Sequence, residues 1–421
     1  MGQKLQGHIL GAYFWGFTIS GLPGGAIAER FGPHLTVTVS FVISGILTIL
    51  GPWTTLHPIL LIISRFLIGL SAGVVYPSLH CLIARWAPPD EKGKFIAALM
   101  GGSLGTVCTW PTLGWAIEAW GWSAALAACG GVALGWTALW WWVVRDCPAT
   151  HPWIGEEELK YISERVQTKE TAGAKKRLPP YKAILKSTPF WALVILHFGN
   201  MWGLFFLLTA GPNFITNVLA FDLGHTGILA ALPYLARLIL ALIFGQIGDL
   251  IMKKKWMSKD AIRKGFVPIS HILPGLLLAI QTLTGCDVNW AIVLITLSLG
   301  LNGASTLTNL QNAHDLAPNF AGTLYGIANC LGSATGFISP IIVGYLTSTH
   351  NGLHEWHTIF YIGSSVYIAS GIIFWFFGSG DVQSWNDLEE TANKRDVVGI
   401  ENVSFDDVEV DKNDKKDRET R

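Results

Sequence analysis

Arg65 lies inside an apolar run from Ile59 to Trp86, long enough to cross a bilayer with some tilt. A guanidinium cannot shed its proton, so placing one in hydrocarbon costs about 2.5–3.5 kcal/mol on insertion scales. On a helix, Ala72 and Tyr76 return to nearly the same face as Arg65. Gly69 and Gly73 bring small residues to that face and allow close helix approach. A fixed positive charge beside small residues inside a membrane suits an anion. The competing reading is snorkelling, since Arg65 is only about six residues, roughly 9 Å, from the predicted outer helix end.

Arg237 is the other cation within an apolar run. It lies about eleven residues into its span, too deep for easy snorkelling. It serves either substrate binding and gating or a structural link to a neighbouring polar group. Asn200, Trp202 and Thr209, and then Asn302, Ser305, Thr306 and Asn309, give polar faces to two further apolar runs. Polar groups in hydrocarbon need partners, so these residues either bond between helices or line a cavity. No Asp or Glu sits well inside a span; Glu118, Asp249 and Asp315 fall near predicted helix ends. A proton relay would fall to His80, His197 or His271, each also a plausible packing residue. Sodium needs only oxygen ligands, so coupling by Na+ or by voltage is favoured over H+.

The elements that must position these residues are membrane helices. Charged residues are 14% of the chain, against about 25% in soluble domains. Hydrophobic residues are 51%, with 46 Gly and 19 Trp, and mean hydropathy is +0.42. That balance fits a polytopic membrane protein. The formal net charge is zero, so no nucleic-acid partner is suggested. No metal-ligand cluster, nucleophile elbow or phosphate loop is present, so neither an enzyme nor a bound cofactor is expected. The cysteines are scattered and imply no disulfide framework.

Eleven spans are predicted near 8–28, 35–55, 59–85, 95–117, 123–144, 191–216, 226–247, 266–284, 289–311, 323–347 and 356–378. Arg30, Arg85, Lys92, Lys94, Lys169, Lys175, Lys176, Arg177, Lys253, Lys254, Lys255, Arg263 and Lys264 all fall on one side. The opposite loops carry no Lys or Arg, so the first side is cytoplasmic. Residues 1–145 form an N-terminal bundle and 191–378 a C-terminal one. Between them, 146–190 is a cytoplasmic connector whose 155–166 stretch reads as an amphipathic helix with an acidic first turn. The charged tail, 379–421, has too little apolar content to fold. Gly25 precedes Glu29 and Arg30 at one cytoplasmic helix end, and Gly245 precedes Asp249 and Lys253 at another. The matching places suggest two repeats and give Glu29, Arg30 and Asp249 a gating role.

Gly-x-x-x-Glu-Arg-x-Gly at 25–32 resembles the loop signature of the major facilitator superfamily. Phe14-Trp15-Gly16-Phe17, Leu22-Pro23-Gly24-Gly25, Arg65 through Gly73, Tyr76-Pro77-x-x-His80, Arg85-Trp86-Ala87-Pro88-Pro89-x-Glu91 and Ser339-Pro340-Ile341-Ile342-Val343-Gly344 together resemble its anion:cation symporter family, solute carrier family 17. The resemblance covers about 6–388. It implies an all-α membrane fold of two helical bundles, and secondary active transport of organic anions or inorganic phosphate, driven by protons, sodium or voltage. Arg65 matches the family's fourth-helix arginine, which implies anion binding, and His80 matches the histidine after Tyr-Pro. Helices 1, 4, 7 and 10 of such a fold surround the cavity.

The family has twelve helices, and this chain begins at what aligns with the second. Ala72 stands where sialin and the glutamate transporters have a glutamate. Asn200 stands where the glutamate transporters have an arginine, and Leu10 where they have a histidine. Phosphate-type and sialin-like members fit better. The expected site is Arg65, Tyr76, Asn200, Asn302 and Arg237 for substrate, with His80, Glu29, Arg30 and Asp249 for coupling and gating. The expected partners are a small anion and the lipid bilayer, for a monomer in a plasma, lysosomal or vesicular membrane. The alternative is a non-transporting membrane protein that regulates or dimerises with another.

Overall fold

The structure is a computed structural model that describes residues 3–88, 101–166, 179–221, 223–283, 287–318 and 320–386. Lys92, Lys94, Lys169, Lys175, Lys176, Arg177, Cys286 and most of the expected tail lie outside those ranges. The described chain is helical, with no strand. Helices α1 (Gln3–Phe31), α2 (Pro33–Ile49), the short α3 (Gly51–Thr54), α4 (Pro58–Ala72), α5 (Val75–Trp86) and α6 (Gly101–Val143) build the first bundle. Helix α6 reverses at Gly121, where φ is 79°, so it crosses twice. Helices α7 (Glu156–Arg165) and α8 (Tyr181–Lys186) belong to the connector. The second bundle holds α9 (Thr188–Asn217), α10 (Leu223–Lys253), α11 (Lys259–Val267), α12 (Leu273–Gln281), α13 (Val288–Asn302), α14 (Asn309–Leu316), α15 (Ala321–Ser333), α16 (Thr335–Leu346) and α17 (Leu353–Phe377). With α4–α5, α11–α12, α13–α14 and α15–α16 counted as one each, eight helices among the described residues are long and apolar enough to cross a membrane, and α2 is a shorter apolar helix, against the eleven spans expected.

Small residues set how closely the helices approach. A Cβ on Gly69 of α4 would stand 1.8 Å from the Tyr13 carbonyl oxygen of α1, and one on Gly16 2.2 Å from the Phe66 oxygen. Backbone thus meets backbone, which in lipid is the main source of helix attraction. Gly69→Val is expected to push α1 and α4 apart and destabilise the first bundle by about 3 kcal/mol, read as a lowered melting temperature of the purified chain in micelles.

The two bundles meet along two glycine seams. A Cβ on Gly7 would lie 2.5 Å from the Pro340 oxygen, and one on Gly227 2.5 Å from the Trp110 oxygen. Both seams lie in the half of the molecule opposite the Lys- and Arg-rich loops, so the bundles are closed against each other there.

Helix α13 ends at Asn302, a 3-10 turn runs Gly303–Leu307, and Thr308 leaves the helical region with ψ −106° before α14. Broken helices inside a membrane must have their freed carbonyls satisfied. Arg263 of α11 does this: its Nη1 donates to the Leu307 oxygen at 2.8 Å, and its Nε donates to Asp315 of α14. Both charges are buried, with side chains 3% and 9% exposed. The sequence places Arg263 in a charged loop and Asp315 near a helix end. The structure keeps Asp315 at the end of α14 but buries it, and carries Arg263 into α11, also buried.

The expected tail begins later than residue 379. The chain turns back after α17: Gly380 N–H donates to Asp260 Oδ1 at 2.8 Å, Asn312 Nδ2 donates to the Ser379 oxygen at 2.7 Å, and Gln383 N–H donates to the Leu316 oxygen at 2.8 Å. Trp385 then sits 6% exposed among Ile184, Phe190, Leu193, Leu316 and Leu324. Connector helix α7 follows the expected 155–166 stretch, with Ile162 as its buried contact.

Candidate functional site

Helix geometry decides which way Arg65 points. Ile59, Leu60, Ile63 and Leu67 are exposed and share one side of α4, the surface lipid would cover. Arg65 stands two residues from both Ile63 and Leu67, about 200° around the helix. It is solvent-accessible, yet on the side away from that apolar stripe. Tyr13 of α1 lies within electrostatic range of both Arg65 and Tyr76. The turn at Gly73 and Val74 keeps right-handed angles, φ −66° and −81°, so Tyr76 stays on the Arg65 side. Pro77 has no N–H for the Gly73 carbonyl, which accounts for the weakened turn. The Ser78 hydroxyl donates to the Val74 oxygen at 2.7 Å and braces it.

Arg237 repeats the arrangement in the second bundle. Leu235, Ile239, Leu242 and Ile243 of α10 are exposed on one side, and Arg237 again sits about 200° from Leu235. Its Nε donates to Asn302 Oδ1 at 3.3 Å. The Asn302 amide donates in turn to the Ser270 oxygen at 3.0 Å, in a π-helical turn over Pro268–Ile272. Gly303 lets α10 pass the break in the α13–α14 crossing, since a Cβ there would stand 2.7 Å from the Arg237 oxygen. Tyr76, Tyr234, Tyr325 and Tyr367 lie within electrostatic range of Arg237. Tyr76 comes from the first bundle and the other three from the second, so the surroundings of Arg237 span both.

The residues expected at the site separate into groups. Tyr13 lies within electrostatic range of Arg65 and Tyr76, and Tyr76 within that of Arg237. Asn302 is fully buried, and both ends of its amide are bonded; it positions Arg237 instead of opening onto accessible space. Asn200 is fully buried, and neither end of its amide has a hydrogen-bond partner among the described residues. His80 is exposed on α5. Glu29 and Arg30 are exposed at the end of α1, Arg30 lying 5.6 Å from the centre of the Phe31 ring. Asp249 is exposed near the end of α10.

Of the other histidines, His271 commits both ring nitrogens. Nε2 donates to the Leu196 oxygen at 3.0 Å, and Nδ1 pairs with Ser270 Oγ at 2.7 Å. His197 accepts at Nδ1 from Asn309 Nδ2 at 2.8 Å, and the Asn329 side chain also lies within hydrogen-bonding reach of its ring. Thr209 donates to its own helix, at the Phe205 oxygen, 2.8 Å away.

Sequence reasoning missed Tyr13, Tyr325 and Tyr367, which look like ordinary aromatics in apolar runs. The signal available for Tyr325 and Tyr367 was a phenol deep in a span, since a buried hydroxyl needs a partner. Among the described residues, neither Arg65 nor Arg237 has a carboxylate partner. Two permanent cations, one from each bundle, therefore share the interior through neutral phenols. Such an arrangement attracts and holds anions.

The Major Facilitator Superfamily model matches residues 2–340. Human sialin is 33% identical over 386 residues, covering 91% of this chain and 77% of sialin. Vesicular glutamate transporter 1 of Xenopus tropicalis is 32% identical over 400 residues, covering 92% of this chain and 68% of its own. Among solved structures, the inward open conformation of the xylose transporter XylE from E. coli aligns with a TM-score of 0.63 at 14% identity, covering 89% of this chain and 86% of that one. At that identity the likeness carries the fold alone.

Proposed function

The chain belongs to the Major Facilitator Superfamily and, within it, to the anion:cation symporter family, solute carrier family 17, and from that premise we propose that this multi-pass membrane transporter carries small organic anions or inorganic phosphate by alternating access. The observation that supports the reading is the pair of guanidiniums, Arg65 and Arg237, turned away from their lipid stripes and linked by Tyr13 and Tyr76. The glycine seams place the two bundles in contact in one half of the molecule, so rocking about them would expose the cations to one side and then the other. An anion neutralises guanidiniums that have no carboxylate partner among the described residues, which gives it differential affinity for a closed state.

Coupling is by sodium or voltage. Among the described residues the buried acid, Asp315, is already paired with Arg263, and His271 has no ring nitrogen to spare. The purified chain in liposomes is expected to accumulate labelled phosphate, sialic acid or glutamate, and to leave a neutral sugar outside. Replacing sodium by choline at constant voltage is expected to slow uptake. An unchanged rate with a steep pH dependence would assign the coupling to protons, and uptake of the sugar alone would remove the anion reading.

A further inference from the structure

Arg237 is under-used by the protein around it. A guanidinium carries five N–H groups in a planar fork, and only Nε is bonded, at 3.3 Å to Asn302. The N–H groups at the fork's open end have no partner among the described residues. One neighbour shares the deficit. The Tyr367 hydroxyl belongs to a residue 1% exposed and has no hydrogen-bond partner among the described residues, and it lies within electrostatic range of Arg237. Unmet polar groups at such burial are costly, so the two together suit a polar guest. An open fork matches a planar carboxylate or a phosphate face with two parallel hydrogen bonds.

Arg65 has no hydrogen bond to the protein among the described residues. It is separated from Arg237 by Tyr13 and Tyr76, which carry no charge. A monoanion bound at one guanidinium would leave the other uncompensated in a low-dielectric interior. Resting on the anion-carrier reading, we propose that the two cations form a two-point clasp for a dianion: Arg65 of the first bundle takes one anionic group, and the open fork of Arg237 in the second takes the other. The substrate class is thus a small dicarboxylate or a doubly ionised phosphate, and its second charge ties the bundles together on closure. Asn302 acts through Arg237, fixing the plane of the fork.

The test uses two probes of nearly equal size, succinate and its half-amide succinamate, with binding to the purified full chain measured by calorimetry. Succinate is expected to bind at least about tenfold more tightly, as one charge-assisted pair allows. Arg237→Gln is expected to bring the two affinities within about twofold by weakening succinate far more than succinamate; Arg65→Gln is expected to weaken both. Tyr367→Phe, a milder change should Arg237→Gln fail to fold, is expected to weaken succinate about tenfold and succinamate little. Equal affinities in the parent, or a preference that survives Arg237→Gln and Tyr367→Phe, would overturn the clasp and leave the anion-carrier reading standing. Binding of neither probe by a chain that melts cooperatively overturns the clasp too, and uptake of no anion at all sinks both readings.

Discussion

Arg65→Gln is expected to cut anion uptake by at least about thirtyfold while leaving the chain folded and in the membrane. Removing one partner of a desolvated charge pair costs about 2–5 kcal/mol of binding, and each 1.4 kcal/mol is tenfold. The fold should tolerate the change because Arg65 has no hydrogen bond or carboxylate partner among the described residues. The measurement is initial uptake per molecule in proteoliposomes, beside the melting temperature in micelles. A variant that melts as the parent does and transports at the parental rate would take Arg65 out of the site. Arg65→Lys separates charge from shape. It keeps the cation and loses the planar fork, so an intermediate rate is expected if the anion is held by two parallel hydrogen bonds.

Arg263→Leu should be among the most destabilising single changes in the second bundle, at about 3–5 kcal/mol. It strands the Asp315 carboxylate in a buried place, 9% exposed, and orphans the Leu307 carbonyl at the break in the α13–α14 crossing. The partner change settles the cause. Replacing a buried ion pair by apolar residues is often neutral, so Arg263→Leu with Asp315→Leu together is expected to recover most of the loss. The residue left over measures what the Leu307 contact contributes, about 1 kcal/mol. Melting temperatures of the parent, the single changes and the double change form the cycle. Additive losses would mean that the two charges stabilise the bundle independently.

What could be read from residues alone follows from the range of each signal. Depth within an apolar run is a local signal, so Arg65 and Arg237 stand out as cations inside spans, while the choice against snorkelling for Arg65 needs the exposed stripe on α4. The crossings and the connector helix are local in the same sense. The Arg263–Asp315 pair is not: its members are separated by 52 positions, and Arg263 sits in a stretch with Lys253, Lys254, Lys255 and Lys264 that reads as loop charge. The tyrosines around Arg237 are also assembled from distant stretches, Tyr76 on one helix and Tyr325 and Tyr367 far beyond it. Asn302 was recognised as a polar residue that matters, but its role depends on Ser270 and Arg237 together, and no spacing encodes that. Trp385 lies in a run that composition assigns to an unfolded tail, because one aromatic among charges counts for little until its pocket is known.

That pocket has a practical consequence for anyone handling the protein. Trp385 plugs a hollow floored by α8, α9, α14 and α15, so the folded unit outlasts its final crossing by several residues. A reporter fused directly behind Phe377 would pull the plug and leave Ile184 and Leu316 facing water. Purification handles and fluorescent partners therefore belong beyond Asn386, and a trimmed version for crystallography should keep every residue up to that point.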